Sequence, residues 1–230
     1  MTDAFQINQI CKTLNQKVIN TVKENLFTEL TTRYPALNPC VEEIQTACRI
    51  LTEAIQKGGK ILLAGNGGSC ADCDHISGEL LKGFLSKRPL TEADRQSFAA
   101  YENGAALAEQ LQYGIPALPL PAFSALSTAF GNDVEPDAIY AQLVMALGKP
   151  EDVFIGLSTS GNAKNVCQAA ITAKARGLKV IGLTGIGGGK LAGLCDCCIK
   201  VPEKETFKVQ ELHLPVYHCI CAVLEAEFFQ

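Results

Sequence analysis

Four side chains carry most of the chemistry this sequence offers: His75 and Glu79, four residues apart, and Gln210 and His218, eight apart. Both pairs fall in stretches with helical periodicity. Residues at i and i+4 share one helix face, and at about 100° per residue two positions eight apart differ by about 80° and can address one site. An imidazole and a carboxylate on one helix, with an amide and an imidazole on another, suit two kinds of work. They can hold zinc or a similar divalent ion through nitrogen and oxygen donors. They can also move protons beside a carbonyl. The third histidine, His213, lies about 140° from His218 around the same helix and is expected to point elsewhere.

Two strand-to-helix turns offer a different chemistry. LLAGNGGSCAD carries Asn66, Gly67, Gly68 and Ser69, and IGLSTSGNAKN carries Ser158, Thr159, Ser160 and Asn162. Glycines let the backbone approach a ligand, a helix N-terminus supplies free N–H groups and partial positive charge, and hydroxyls add donors. Such loops suit a phosphate. The plainer alternative makes Ser69 and Asn162 helix N-caps. Neither turn is GxxxxGK[ST] or GxGxxG, so a nucleotide or dinucleotide is not favoured. A third turn, LTGIGGGK, is also rich in glycine, and its glycines serve to end a strand and start a helix.

The stretch GNGGSCADCDH, Gly65 to His75, fits three readings by itself: a phosphate cradle, a redox Cys-x-x-C pair, or half of a metal site. A helix N-terminus lowers a thiol pKa, which keeps reactivity of Cys70 open. CDCC, Cys195 to Cys198, enters a strand where neighbouring side chains point to opposite faces, a poor geometry for a zinc knuckle.

These residues must be positioned by the elements around them. Phe5, Ile7, Ile10, Leu14, Val18, Val22, Leu26 and Leu30 form one apolar stripe, which predicts a long helix from Ala4 to about Tyr34, followed by a second from Cys40 to Lys57. Residues 1–57 therefore read as a helical extension whose stripe needs a partner to pack on. Beyond it, KILLAG, PALPLPA, DVFIGLS, LKVIGLTG and CCIKVP are expected strands, the second weakened by Pro119 and Pro121. Helices are expected over 69–83, 135–147, 163–176, 190–194 and 208–229, the last with Pro215 breaking one backbone bond. The alternation predicts an α/β doubly wound parallel sheet in a single domain, with ligands outside the carboxyl ends of the strands. Residues 85–114 do not fit the rhythm and read as an insertion.

The bulk of the chain narrows the partners. There are 230 residues, a formal net charge of −4 and no basic cluster, which argues against nucleic acid as the main partner. No uninterrupted apolar run reaches the roughly 18 residues of a membrane span, and the N-terminal stretch lacks the pattern of a signal peptide. A cytoplasmic location is expected. Eleven cysteines without an export signal read mainly as small buried hydrophobes.

Taken in order, GNGGS, D-x-x-H-x-x-x-E, TAFGND, STSGN, GLTG and QE-x-H-x-x-x-x-H resemble the phosphoheptose isomerases, members of the sugar isomerase (SIS) superfamily. The resemblance covers Leu14 to about Glu227 apart from the insertion. It implies a five-stranded parallel SIS sheet covered on both faces, long N-terminal helices, and a homotetramer with sites at subunit interfaces. It implies that Ser69, Ser158, Thr159 and Ser160 bind the sugar phosphate and that Asn66 and Asp133 line the pocket, with Gly67, Gly68, Asn162 and Gln210 completing it. It implies zinc on His75, Glu79, Gln210 and His218, with Glu79 and His218 as the catalytic pair. The implied reaction converts sedoheptulose 7-phosphate to D-glycero-D-manno-heptose 7-phosphate through an enediol, for activated heptose synthesis.

The chain departs from the family pattern in places. Where E-L-x-G-R is common it has ELLKGF, leaving Lys82 or Lys87/Arg88 as substitutes for the missing arginine. STSGNA has Ala163 where a serine is common. Two other functions compete: a SIS regulator that binds a replication initiator without catalysis, and a sugar-phosphate sensor. The presence of His75, Glu79, Gln210 and His218 favours the enzyme over the regulator.

Overall fold

The structure is a computed structural model and describes residues 2–229, with side chains from residue 16 onward. The expected stripe positions Phe5, Ile7, Ile10 and Leu14 lie outside the described side chains. Helices α1 (Thr2–Arg33) and α2 (Val41–Gln56) lead into β1 (Ile61–Ala64) and α3 (Gly68–Leu81). Two short helices, α4 (Glu92–Phe98) and α5 (Gly104–Gln110), precede β2 (Ala117–Pro119), α6 (Ser124–Asp133) and α7 (Ile139–Leu147). Then follow β3 (Val153–Leu157), α8 (Lys164–Ala175), β4 (Lys179–Gly185), α9 (Gly189–Ala192), β5 (Cys197–Val201) and α10 (Thr206–Phe229).

The five strands form one all-parallel sheet in the order β2-β1-β3-β4-β5. The chain steps outward from β1 to β2, then returns to lay β3 on the other side of β1. The β1 and β3 carboxyl ends thus flank the topological switch point, where such sheets bind ligands. Alternation along each strand divides the core. Ile61, Leu63, Ile155 and Ile181 face the layer of α2, α3 and α10, whereas Leu62, Ala64, Phe154 and Val180 face α7 and α8. β2 is an edge strand pairing through three residues, so Pro119, which has no N–H to donate, is tolerated there.

Some expectations needed correction. The helix expected from Glu135 starts at Ile139, because Pro136 opens a separate 3-10 turn, Pro136–Ala138. α6 had no expected counterpart: none of its side chains is fully buried, so it has little apolar stripe to read. The short helix at 190–194 is Gly189–Ala192. Residues 85–114 carry α4 and α5 and an antiparallel bridge between Pro89 and Gln112. α10 runs through Pro215 as one helix. By length and composition it is also apolar enough, as a whole helix, to cross a bilayer, although it holds no uninterrupted apolar run of that length. Two thirds of that apolar window (67%) is buried against the sheet and its neighbours, which makes it a core helix. Seven of the ten described cysteines are buried, as expected of small hydrophobes.

Candidate active site

α3 and α10 pack side by side and bring the predicted histidines together. His75 Nε2 lies 3.3 Å from Glu79 Oε1 on its own helix and 3.4 Å from His218 Nε2 across the interface. The two imidazoles meet edge to face at 4.9 Å between centroids. The His75 side chain is 42% exposed and that of Glu79 18%, so the pair opens outward from the chain. Burial, with the charge of His75 second, holds the His218 imidazole below its ordinary pKa and keeps it a proton acceptor near neutrality. On its other side His75 Nδ1 stands 3.0 Å from the Tyr217 hydroxyl, which donates to Asp72 Oδ1 at 3.2 Å.

His213 points away, as its angle required. It is fully buried, neither ring nitrogen has a hydrogen-bond partner, and burial pushes its pKa down to about 4. A His neutral when folded but protonated when unfolded costs stability as pH falls from the free value of about 6.5 towards the folded one. Over that window the wild type should lose about 3 kcal/mol relative to His213→Phe, by urea denaturation at each pH. Parallel curves for the two proteins would contradict the assignment.

The first glycine loop is braced from two sides. Asn66 exchanges hydrogen bonds with Asn165 of α8 (2.8 and 3.0 Å) and accepts one from Tyr140. Gly67 is the N-cap of α3, with φ of 57°, and Ser69 lies inside the helix, buried; the N-cap alternative for Ser69 does not hold. At Gly68 a Cβ would stand 2.6 Å from Gln210 Nε2, the end of a flexible side chain, so the amide rests directly against the bare glycine. Gln210 therefore sits at the loop, about two turns along α3 from His75, and its amide is not with the imidazole pair.

The second loop follows β3. Ser158 Oγ accepts the Ala163 N–H (3.3 Å), and Ser160 Oγ accepts the Asn162 N–H (3.2 Å). Asn162 is not an N-cap either: its amide donates to Ser160 O and accepts from Lys190 N, tying the loop to α9. Gly161 has φ of 67° and its Cβ position lies 2.0 Å from Gly188 O, so no larger residue fits. Asp133, at the end of α6, is exposed and accepts from Asn132; the structure does not bring it to the imidazole pair.

The Cys-x-x-C reading of the opening stretch fails on burial. Cys73 is completely buried, and burial pushes both thiols up, that of Cys73 far up, against the lowering expected at a helix N-terminus. Arg88 is not a substitute for the missing family arginine. It is 1% exposed and donates to Glu225 Oε1 (2.9 Å), Leu80 O (2.7 Å) and Glu79 O (3.3 Å). Lys87 is exposed, and Lys82 lies 3.3 Å from Glu79 Oε2, so Lys82 is the cation that reaches the site. Sequence reasoning gave no role to Asp72, the first residue of the D-x-x-H-x-x-x-E stretch, and missed Tyr217 and Glu225. The signal for Glu225 was present, as the first carboxylate to interrupt the apolar run CICAVL.

Whether the donor set fits zinc can be judged from its geometry. Two ligand atoms about 2.0–2.1 Å from a tetrahedral zinc lie about 3.3–3.4 Å apart. His75 Nε2 has that spacing to both Glu79 Oε1 and His218 Nε2. Among the described residues no three His, Cys, Asp or Glu side chains converge as a complete cluster. The donor types and the two pairwise spacings at His75 suit the ion, while the amide of Gln210 lies against Gly68.

A parallel sheet with two serine- and glycine-rich loops at its switch point, beside a histidine–carboxylate pair, defines a sugar isomerase (SIS) domain, and the SIS domain family matches residues 36–111 and 96–185. A phosphoheptose isomerase of Aneurinibacillus thermoaerophilus is 38% identical over 224 residues, 97% of this chain and 96% of its own length. Phosphoheptose isomerase 2 of Campylobacter jejuni is 39% identical over 81% of each chain. Among solved structures, a phosphoheptose isomerase from Neisseria gonorrhoeae superposes with a TM-score of 0.67 at 29% identity, covering 92% of this chain and 98% of its own. One from Francisella tularensis gives 0.69 at 26% identity, covering 97% and 98%. The chain belongs to the phosphoheptose isomerase family.

Proposed function

We propose that the protein interconverts sedoheptulose 7-phosphate and D-glycero-D-manno-heptose 7-phosphate, an aldose–ketose isomerisation that serves activated heptose synthesis. The observation that carries this reading is that His75 Nε2 lies 3.3 Å from the Glu79 carboxylate on α3 and 3.4 Å from the His218 imidazole on α10. The reaction moves a proton between C1 and C2 through an enediol. Glu79 is the base that carries it, and His218, kept neutral by burial, exchanges protons with the substrate oxygens. Ser69 and the 158–162 loop hold the phosphate and fix the distance from the far end of the sugar to Glu79. Lys82, beside Glu79 Oε2, adds positive charge where the enediolate develops.

His75, Glu79 and His218, with Gln210 as a fourth, would hold a zinc ion, whose Lewis acidity polarises a carbonyl oxygen. The outward opening of His75 supports completion of the site by another copy of the chain in a homotetramer, as in the family pattern. A cytoplasmic location accords with a phosphorylated metabolite as substrate, and neither nucleic acid nor membrane has a place in the reading.

The test is an isomerase assay with sedoheptulose 7-phosphate on protein dialysed against chelator and then resupplied with zinc. Product formation should fall on chelation and return with zinc. Turnover indifferent to chelation would remove the metal as a requirement, and no product in either state would remove the substrate.

A further inference from the structure

We propose that Tyr217, oriented by Asp72, is a positioning residue that fixes His75 in the tautomer with its proton on Nδ1, leaving the Nε2 electron pair facing Glu79 and His218. No role in the reading above uses either residue. Tyr217 immediately precedes His218, so one turn of α10 presents both to His75, a hydroxyl at Nδ1 and an imidazole at Nε2. Tyr217 is 2% exposed, and its ring meets that of His75 edge to face at 5.4 Å.

The direction of the hydrogen bonds follows from counting protons. An ionised carboxylate only accepts, so the single hydroxyl proton of Tyr217 goes to Asp72 Oδ1. The Tyr217 oxygen, 3.0 Å from Nδ1, is left to accept, and Nδ1 must supply the proton. Glu79 Oε1, 3.3 Å from Nε2, competes for the ring proton; where the Tyr217 oxygen holds it on Nδ1, the other nitrogen of the neutral imidazole is an electron pair. Nε2, between Glu79 Oε1 and His218 Nε2, becomes a site for a metal ion or a transferred proton. Second-shell partners of this kind commonly set the orientation and basicity of a functional histidine, and their loss costs about 10–100-fold in metal affinity or activity.

The inference rests on the isomerase reading for its kinetic consequence alone; the tautomer itself is measured without substrate. Protein labelled with 15N-histidine is compared by NMR as wild type, Tyr217→Phe and Asp72→Asn, with His75→Gln used to assign the resonances. Wild-type His75 should show a protonated Nδ1 and an unprotonated Nε2. Tyr217→Phe keeps the ring but loses the acceptor, and its His75 should shift towards the Nε2–H form. Zinc affinity, by competition with a chromogenic chelator, should fall about 10–100-fold, and kcat should fall by a similar factor with KM nearly unchanged. Should Tyr217→Phe fail to fold, Asp72→Asn tests the same relay with the tyrosine ring in place. A wild-type His75 protonated on Nε2, or variants whose His75 resonances match the wild type, would overturn the proposal. A tautomer shift in a protein with no activity on the sugar phosphate would leave it standing and count against the isomerase reading.

Discussion

Replacing Glu79 by Gln should abolish nearly all turnover while leaving a folded protein that still binds the sugar phosphate. The change preserves volume and the amide oxygen can still meet Lys82, so the packing of α3 against α10 is kept. What is lost is a base within reach of a carbon-bound proton, worth roughly 10²–10⁴-fold in rate. The expected signature is a fall of that size in kcat with KM within about threefold, since removing an interaction made only in the transition state leaves ground-state binding. An enediol mechanism adds an isotopic check. In D₂O the wild type should incorporate solvent deuterium at the carbon that changes oxidation state, and Glu79→Gln should not. Because Glu79 is also a candidate zinc donor, metal content is measured on both proteins. Wild-type rates and deuterium exchange in the variant would show that Glu79 is not the base.

The second large effect is on stability. Arg88 and Glu225 form a buried ion pair with exposures of 0% and 3% at their side chains. Glu225 also accepts the N–H groups of Phe84, Leu85 and Ser86 at 2.7–3.0 Å, and the Arg88 guanidinium lies 4.6 Å from the centre of the Phe229 ring. Burial alone would raise the Glu225 pKa; the amides of Phe84 and Leu85 together with Arg88 overcome it and hold the carboxyl below its usual range. The cluster ties the end of the helix bearing Glu79 to the helix bearing His218, and it seats Phe84 5.4 Å from the His218 ring. Removing one member of such a pair strands the other charge, at a cost of about 3–5 kcal/mol. Arg88→Met and Glu225→Ala should each lose stability of that order in urea denaturation at pH 7. For Glu225 the folded pKa lies below the unfolded one. Its contribution is therefore present above the ordinary carboxylate range and is lost as pH falls through the folded value, so the gap between wild type and Glu225→Ala should narrow in acid. Losses below about 1 kcal/mol would mean that the cluster is not a structural tie.

Much of this molecule is legible in its letters, and the reasons are local. Apolar runs such as KILLAG and DVFIGLS ending in glycine and hydroxyl residues mark buried parallel strands feeding helices, because a strand covered on both faces has no polar side to show. The helix α6 was illegible because none of its side chains is fully buried, although Leu126 packs against the core, and a helix without a buried face leaves little periodicity in its sequence. Arg88 read as a spare cation for the substrate, since a sequence shows that a charge exists and not which buried carboxylate claims it.

For the candidate site, helix geometry alone places His75 with Glu79 on one face and turns His213 away from His218, because those relations need only the pitch of a single helix. The same pitch allowed Gln210 to join His218, yet the structure lays its amide on Gly68, where the absent Cβ leaves room. The contact of His75 with His218, the Tyr217–Asp72 relay behind it and the Glu225 anchor all cross between α3, α10 and the 82–88 segment. The distance between helices is set by how their side chains pack on a shared sheet, a property of the whole core that no spacing along the chain encodes.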